Sequence, residues 1–196
     1  MTREQLLRLL RAALPAEHGI QIVIVGSQSV LGAHPDRELP ERATLSMEAD
    51  VMYRRAGVFN HELTEMVDAA FGEGSAFHEQ EGVYLQGVDD TTCVLPDGWE
   101  DRLVTLAVLP SRVWADGRSS GDVPVLCLDP HDLAVAKLAA GRPKDVEFVY
   151  ALVSSGHLDS DIISERAGLL DPAVHPGRRS EVRLRLRTVT RTQARG

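Results

Sequence analysis

The chain has 196 residues, 43% of them hydrophobic, with 21 basic against 29 acidic side chains and a formal net charge of −8. That length suits one domain with a sizeable core, and the acidic balance excludes a general nucleic-acid binder driven by bulk charge. No segment approaches the ~20 apolar residues of a membrane span, no basic-then-apolar leader opens the chain, and Cys93 and Cys127 lack zinc spacing, so a cytoplasmic protein with two buried free thiols is expected.

Leu6, Leu7, Leu9, Leu10, Ala13 and Leu14, with Thr2 and Gln5 placed as a capping box, predict a helix over 2–14 lying on a sheet. The apolar run from Ile20 to Val25 reads as a buried strand, and Gly26-Ser27 as a turn opening a short helix over 27–31. A loop rich in Pro and charge follows over 34–44, and then a second strand, Ser46-Met47-Glu48-Ala49-Asp50-Val51-Met52. Leu63, Met66, Val67 and Ala70 define an amphipathic helix over 60–71, capped by Asn60. Short strands are expected over 82–85, 92–95, 103–108 and 123–128, which together form a mixed sheet.

At Asp129 the period changes. Asp129 can cap, Pro130 suits the first helical position, and Leu133, Val135, Ala136, Leu138 and Ala139 continue the helix to Gly141. Two more helices are expected over 143–153 and 159–167. The last 21 residues hold seven arginines against Glu181, a segment of about +6 on a body of about −14. Val182, Leu186 and Val189 fit one helix face there, while Arg183, Arg185 and Arg187 alternate with apolar residues as an edge strand would; the helix is the preferred reading. The tail can attract an RNA acceptor through phosphate contacts, or be a solvated end that pairs with the acidic body. Three regions follow: an α/β core over 1–128, a helical region over 129–175 and a basic segment over 176–196.

Two motifs carry chemistry. Side chains at i and i+2 of a strand share a face, so Glu48 and Asp50 can hold one divalent cation between them. Gly26 allows close backbone approach to a triphosphate, and the amides after it can donate to phosphate oxygens together with the Ser27 hydroxyl. The alternative is structural: the two acids form an exposed polar face or pair with Arg54 and Arg55. The second motif is the stretch Asp132-Leu133 through Lys137-Leu138 to Lys144-Asp145, which holds both lysines of the chain. A lysine is a compact charge suited to phosphate, although the Lys137 stem can equally snorkel to a structural carboxylate. The seven histidines are scattered without metal-ligand spacing, and neither a P-loop nor a Gly-x-Ser-x-Gly elbow occurs.

A Gly-Ser turn followed by an acid-x-acid strand resembles the signature of the nucleotidyltransferase superfamily. The helix carrying Asp132, Leu133, Lys137, Leu138 and Ala140, followed by Asp145, resembles the abortive-infection toxins of the AbiEii type and related nucleotidyltransferase-like proteins, as does Gly98 to Val104. The resemblance implies a small α/β (α+β) fold, a mixed-sheet core with flanking helices and a C-terminal helical region. It implies magnesium-dependent transfer of a nucleoside monophosphate from a nucleoside triphosphate to an acceptor hydroxyl on tRNA or protein, with an antitoxin as possible partner. Gly26 and Ser27 would bind the triphosphate, Glu48 and Asp50 the magnesium, and Lys137 a phosphate, with Asp145 as base or orienting group. Two departures stand out. The acid pair lies 21 residues beyond Ser27, farther than in the superfamily, and the strand expected to carry a third acid, 103–108, has Thr105 instead. Asp89-Asp90 or Glu100-Asp101, otherwise turn or cap acids, are the substitutes at hand. These departures favour a second reading, a catalytically silent binding module of the same fold.

Overall fold

The computed structural model, which describes residues 1–89 and 91–193, places the first helix over Arg3–Ala12 (α1). Its capping box is closed: the Thr2 amide donates to the Gln5 side chain and the Gln5 amide to the Thr2 hydroxyl, while Leu6, Leu9 and Leu10 enter the core. The strand Ile20–Ile24 (β1) runs into a 3-10 turn over Ser27–Gly32. The stretch expected to be a loop carries a second 3-10 turn over Asp36–Glu38 and a short helix, Glu41–Thr44 (α2). Then come Glu48–Arg55 (β2), Val58–Phe59 (β3) and the helix His61–Phe71 (α3), capped by Asn60, which accepts from the Leu63 amide. Ala76–Glu81 (α4) is a helix the sequence reading misses, and Tyr84–Gly87 (β4) starts two residues later than expected.

A correction falls at 92–95, which is not a strand. Asp89 accepts from the Thr91 amide and from the hydroxyls of Thr91 and Thr92, winding the chain into a turn where side-chain bonds replace a ladder. Its neighbour Asp90 lies outside the described residues. A 3-10 turn over Trp99–Arg102 leads to Val104–Leu109 (β5) and Val123–Cys127 (β6). Four helices follow: Pro130–Ala140 (α5), Pro143–Ser154 (α6), Ser160–Ala167 (α7) and Arg178–Gln193 (α8). The arginine-rich end is thus helical, with Val182, Leu186 and Val189 buried in the core. Cys127 is buried and Cys93 half-buried, both as free thiols.

The fold is mixed α/β, around a sheet of order β3-β2-β1-β6-β5 with β4 on the outer edge of β2. β1 is parallel to β6 and antiparallel to β2, while β4 runs parallel to β2. Alternation sorts the two faces: Ile20, Ile22 and Ile24 enter the main core, whereas Val23 and Val25 join Met52 and Val88 in a smaller cluster that floors the site. α5 ends at Gly141, whose left-handed φ of 67° closes the helix, and a Cβ there would stand 2.3 Å from the Arg185 guanidinium carbon. Arg185 donates to the carbonyls of Leu138 and Ala139, and Arg178 donates to that of Ala139, so α8 satisfies the last carbonyls of α5. Among the described residues, no helix is long and apolar enough to cross a membrane.

Candidate active site

The turn after β1 and the start of β2 meet at one end of the sheet. The Val25 amide donates to the Asp50 carbonyl, and an added Cβ at Gly26 would come to 1.5 Å from Asp50 Oδ2. The glycine therefore makes room for the acid itself. Gln28, fully buried, donates to the Ser46 carbonyl and ties the turn to the residues just before β2.

Glu48 and Asp50 share the face that strand alternation predicts, and Asp50 interacts directly with Glu48. Burial, and then the neighbouring Glu48 charge, push the Asp50 carboxyl up to about 6. The Tyr84 hydroxyl donates to Glu48 Oε2 at 3.2 Å, and burial with the Glu48 charge lifts the phenol to about 12, so it remains a donor. Among the described residues neither acid forms an ion pair. Arg54 pairs with Glu100 and Arg55 with Glu17, so the pairing alternative weighed from sequence does not occur.

Facing the acids is a cationic wall built by α5 and α6. Lys137 lies 3.2 Å from Asp145 and 5.6 Å from the centre of the Phe148 ring, and Arg142 lies 2.6 Å from the same carboxylate. Asp145 is 1% exposed; burial alone would raise it, but the Arg142 hydrogen bond and the Lys137 charge hold it below the usual carboxylate range. Held between two cations, it is a positioning group for them and a poor proton acceptor. Asp132, from the same motif, lies elsewhere: fully buried, it is 2.7 Å from Arg102 and 3.6 Å from Arg166, locking the 3-10 turn at Trp99–Arg102 to α5 and α7.

These walls enclose an open cleft of about 620 Å³ that brings together Ser27, Glu48, Asp50, Lys137 and Asp145. Gly26 lines a smaller space adjoining it. Lys144, singled out with Lys137 in the sequence but given no role of its own there, also lines the cleft, and the sequence reading misses two further cations on it, Arg42 and Arg142. The signal for Arg142 is its place in the Arg-Pro-Lys that follows Gly141, adjacent to the lysine helix.

Gln86 is missed for a different reason. β4, not β5, lies beside the acid-bearing strand, and its Gln86 pairs in register with Asp50 and lines the cleft. Thr105 sits on β5, separated from β2 by β1 and β6 and off the cleft, while the strand beside the acids, β4, offers an amide there. Among the described residues the substitute acids Asp89, Glu100 and Asp101 do not line the cleft, Asp89 being engaged in its turn and Glu100 with Arg54.

The donor set suits a hard divalent cation. Magnesium commonly takes one or two protein carboxylates and leaves its other positions to water and phosphate, and the Glu48–Asp50 repulsion is the sort of uncompensated charge such an ion relieves. Among the described residues, no group of three or more His, Cys, Asp or Glu is placed to hold a metal by itself.

A family model described as a nucleotidyltransferase of unknown function (DUF6036) matches residues 4–171. No curated protein and no solved structure matches the chain.

Proposed function

The chain belongs to this nucleotidyltransferase family, and from that premise we propose that it moves a nucleoside monophosphate from a nucleoside triphosphate to an acceptor hydroxyl, using magnesium held by Glu48 and Asp50. One observation carries the reading: a single cleft sets an acid pair that forms no salt bridge among the described residues against Lys137, Arg142 and Lys144. That is the charge pattern of a metal-bound polyphosphate. When bound, magnesium supplies charge neutralisation at the reacting phosphate and the departing pyrophosphate.

The chain's own residues do the rest. Ser27, Lys137, Arg142 and Lys144 bind the phosphates and Asp145 orients two of those cations, while Tyr84 fixes the Glu48 carboxylate. The acceptor oxygen bonds to the α-phosphorus as its bond to the pyrophosphate oxygen breaks, and the acceptor proton passes to solvent. The resemblance to AbiEii-type toxins supports a tRNA 3′ end or a protein hydroxyl as acceptor, and an antitoxin-like protein as partner. Incubation with labelled nucleoside triphosphates, magnesium and total RNA or protein tests the reading. Label transfer by the wild type and its loss in Asp50→Asn support it; no transfer, or equal transfer by both, rejects it.

Gln86 favours a second reading. An amide beside Asp50 removes a carboxylate that could accept the acceptor's proton, as expected of a fold kept for binding alone. Magnesium-dependent nucleotide binding with no turnover on any acceptor would establish that reading instead.

A further inference from the structure

Beside Asp50 the cleft continues into a second chamber of about 260 Å³, smaller than the ~300–1,000 Å³ of whole small-molecule sites. The two spaces share Asp50, Thr92, Lys137, Ala140 and Arg142 as a common rim. Beyond that rim the chamber is apolar, lined by Val25 at the end of β1, by Cys93 and Val94 after the Asp89 turn, and by Leu133 and Ala136 of α5. It also meets Arg178, the first residue of α8. Arg178 is fixed from behind, its Nη1 donating to the Ala139 carbonyl at 3.1 Å and to Glu181 at 2.8 Å.

A ligand that fills both spaces must be polyanionic at one end and carry a compact, largely apolar group with a polar edge at the other. A nucleoside triphosphate has that division, whereas an acceptor hydroxyl need not. Resting on the transferase reading above, we propose that the chamber is the nucleobase subsite and that Arg178 sets base preference. A guanidinium offers donors only, and arginine pairs with the carbonyl and ring-nitrogen acceptors of guanine. The subsite therefore prefers guanine to adenine, whose exocyclic amine would meet Arg178 donor to donor. Arg178 lies beyond residues 4–171, so base choice rests on a segment outside the family match.

Cys93 gives the chamber a built-in reporter, and the buried Cys127 is its control. Cys93 of the full chain is labelled with a methanethiosulfonate at pH 8.5 with magnesium, in the presence of GTP, ATP or inorganic tripolyphosphate, and binding of each is measured by calorimetry. Bound GTP is expected to slow Cys93 labelling about tenfold while tripolyphosphate leaves it unchanged, and Ala136→Leu to weaken GTP about tenfold without weakening tripolyphosphate. Arg178→Gln is expected to narrow the preference for GTP over ATP by about tenfold.

GTP that binds without protecting Cys93, or protection by tripolyphosphate equal to that by GTP, overturns the base subsite and leaves the transferase reading standing. Tighter binding of ATP than GTP by the wild type overturns the role of Arg178. If no triphosphate binds, the transferase reading falls and the subsite with it.

Discussion

Asp132 and Asp50 are both withdrawn from solvent, and the protein treats them in opposite ways. Around Asp132 two arginines converge from separate elements, Arg102 by a hydrogen bond to Oδ2 and Arg166 by its charge 3.6 Å from Oδ1, and the carboxylate is 0% exposed. Around Asp50 the nearest charged partner is another acid, on the same strand and facing an open cleft. A buried charge with its counter-charges is part of the architecture. One left with a like charge beside a cavity weakens the fold, which makes it a candidate for work.

That contrast breaks most sharply under substitution. Asp50→Asn is expected to reduce label transfer about 10³-fold, equivalent to several kcal/mol of lost charge stabilisation, without lowering the melting temperature, because a like-charge contact has been removed. Asp132→Asn should do the reverse. It strands Arg102 and Arg166, costing about 3–5 kcal/mol of stability in denaturant titration, while transfer per folded molecule holds. If both variants lose stability equally, the distinction fails.

Gly26→Ala tests the contact between turn and acid. The new Cβ forces the Asp50 carboxylate to move, and a misplacement of this kind costs about 10²-fold in transfer rate; wild-type turnover by this variant would show that Asp50 adapts freely.

The smallest effect is in pH. The Asp50 carboxyl is raised from an ordinary 3.8 to about 6 in the fold, so its destabilising contribution is absent below the lower value and grows until it is complete above the higher one. Stability without metal should fall through that window, with Lys137 partly offsetting the Glu48 repulsion. Magnesium should raise the melting temperature more at pH 7.5 than at pH 4.5, on a scale of about 2–4 °C per kcal/mol. An equal rise at both would place the ion elsewhere.

How much of this was legible in the sequence depends on how local each fact is. Glu48 and Asp50 share a face because strands alternate, which any six residues of the segment declare. Gly26 is readable as a point of close approach, but the Asp50 carboxylate that fills the space arrives from another strand, at a distance no local pattern reveals. Gln86 was missed because its role depends on strand order: the third position beside the acids comes from β4, and 103–108 offered a more apolar candidate that folds on the far side of β1 and β6. α4 buries no residue and so lacks a periodic stripe, leaving only its Ser75 cap and Gly82 stop as signals. Conversely, Cys93, Val94 and Leu95 look like strand residues until the hydrogen bonds of Asp89 are taken into account.

The arginine clasp between α8 and the end of α5 bears on where the gene can be cut. A fragment stopping at residue 171 would keep every position the family model matches. It would also leave the carbonyls of Leu138 and Ala139 without their guanidinium donors and uncover the apolar surface now sealed by Val182, Leu186 and Val189. Such a truncation strips the support from behind α5, whose Lys137 faces the acids, so an expression boundary drawn for this protein belongs beyond α8.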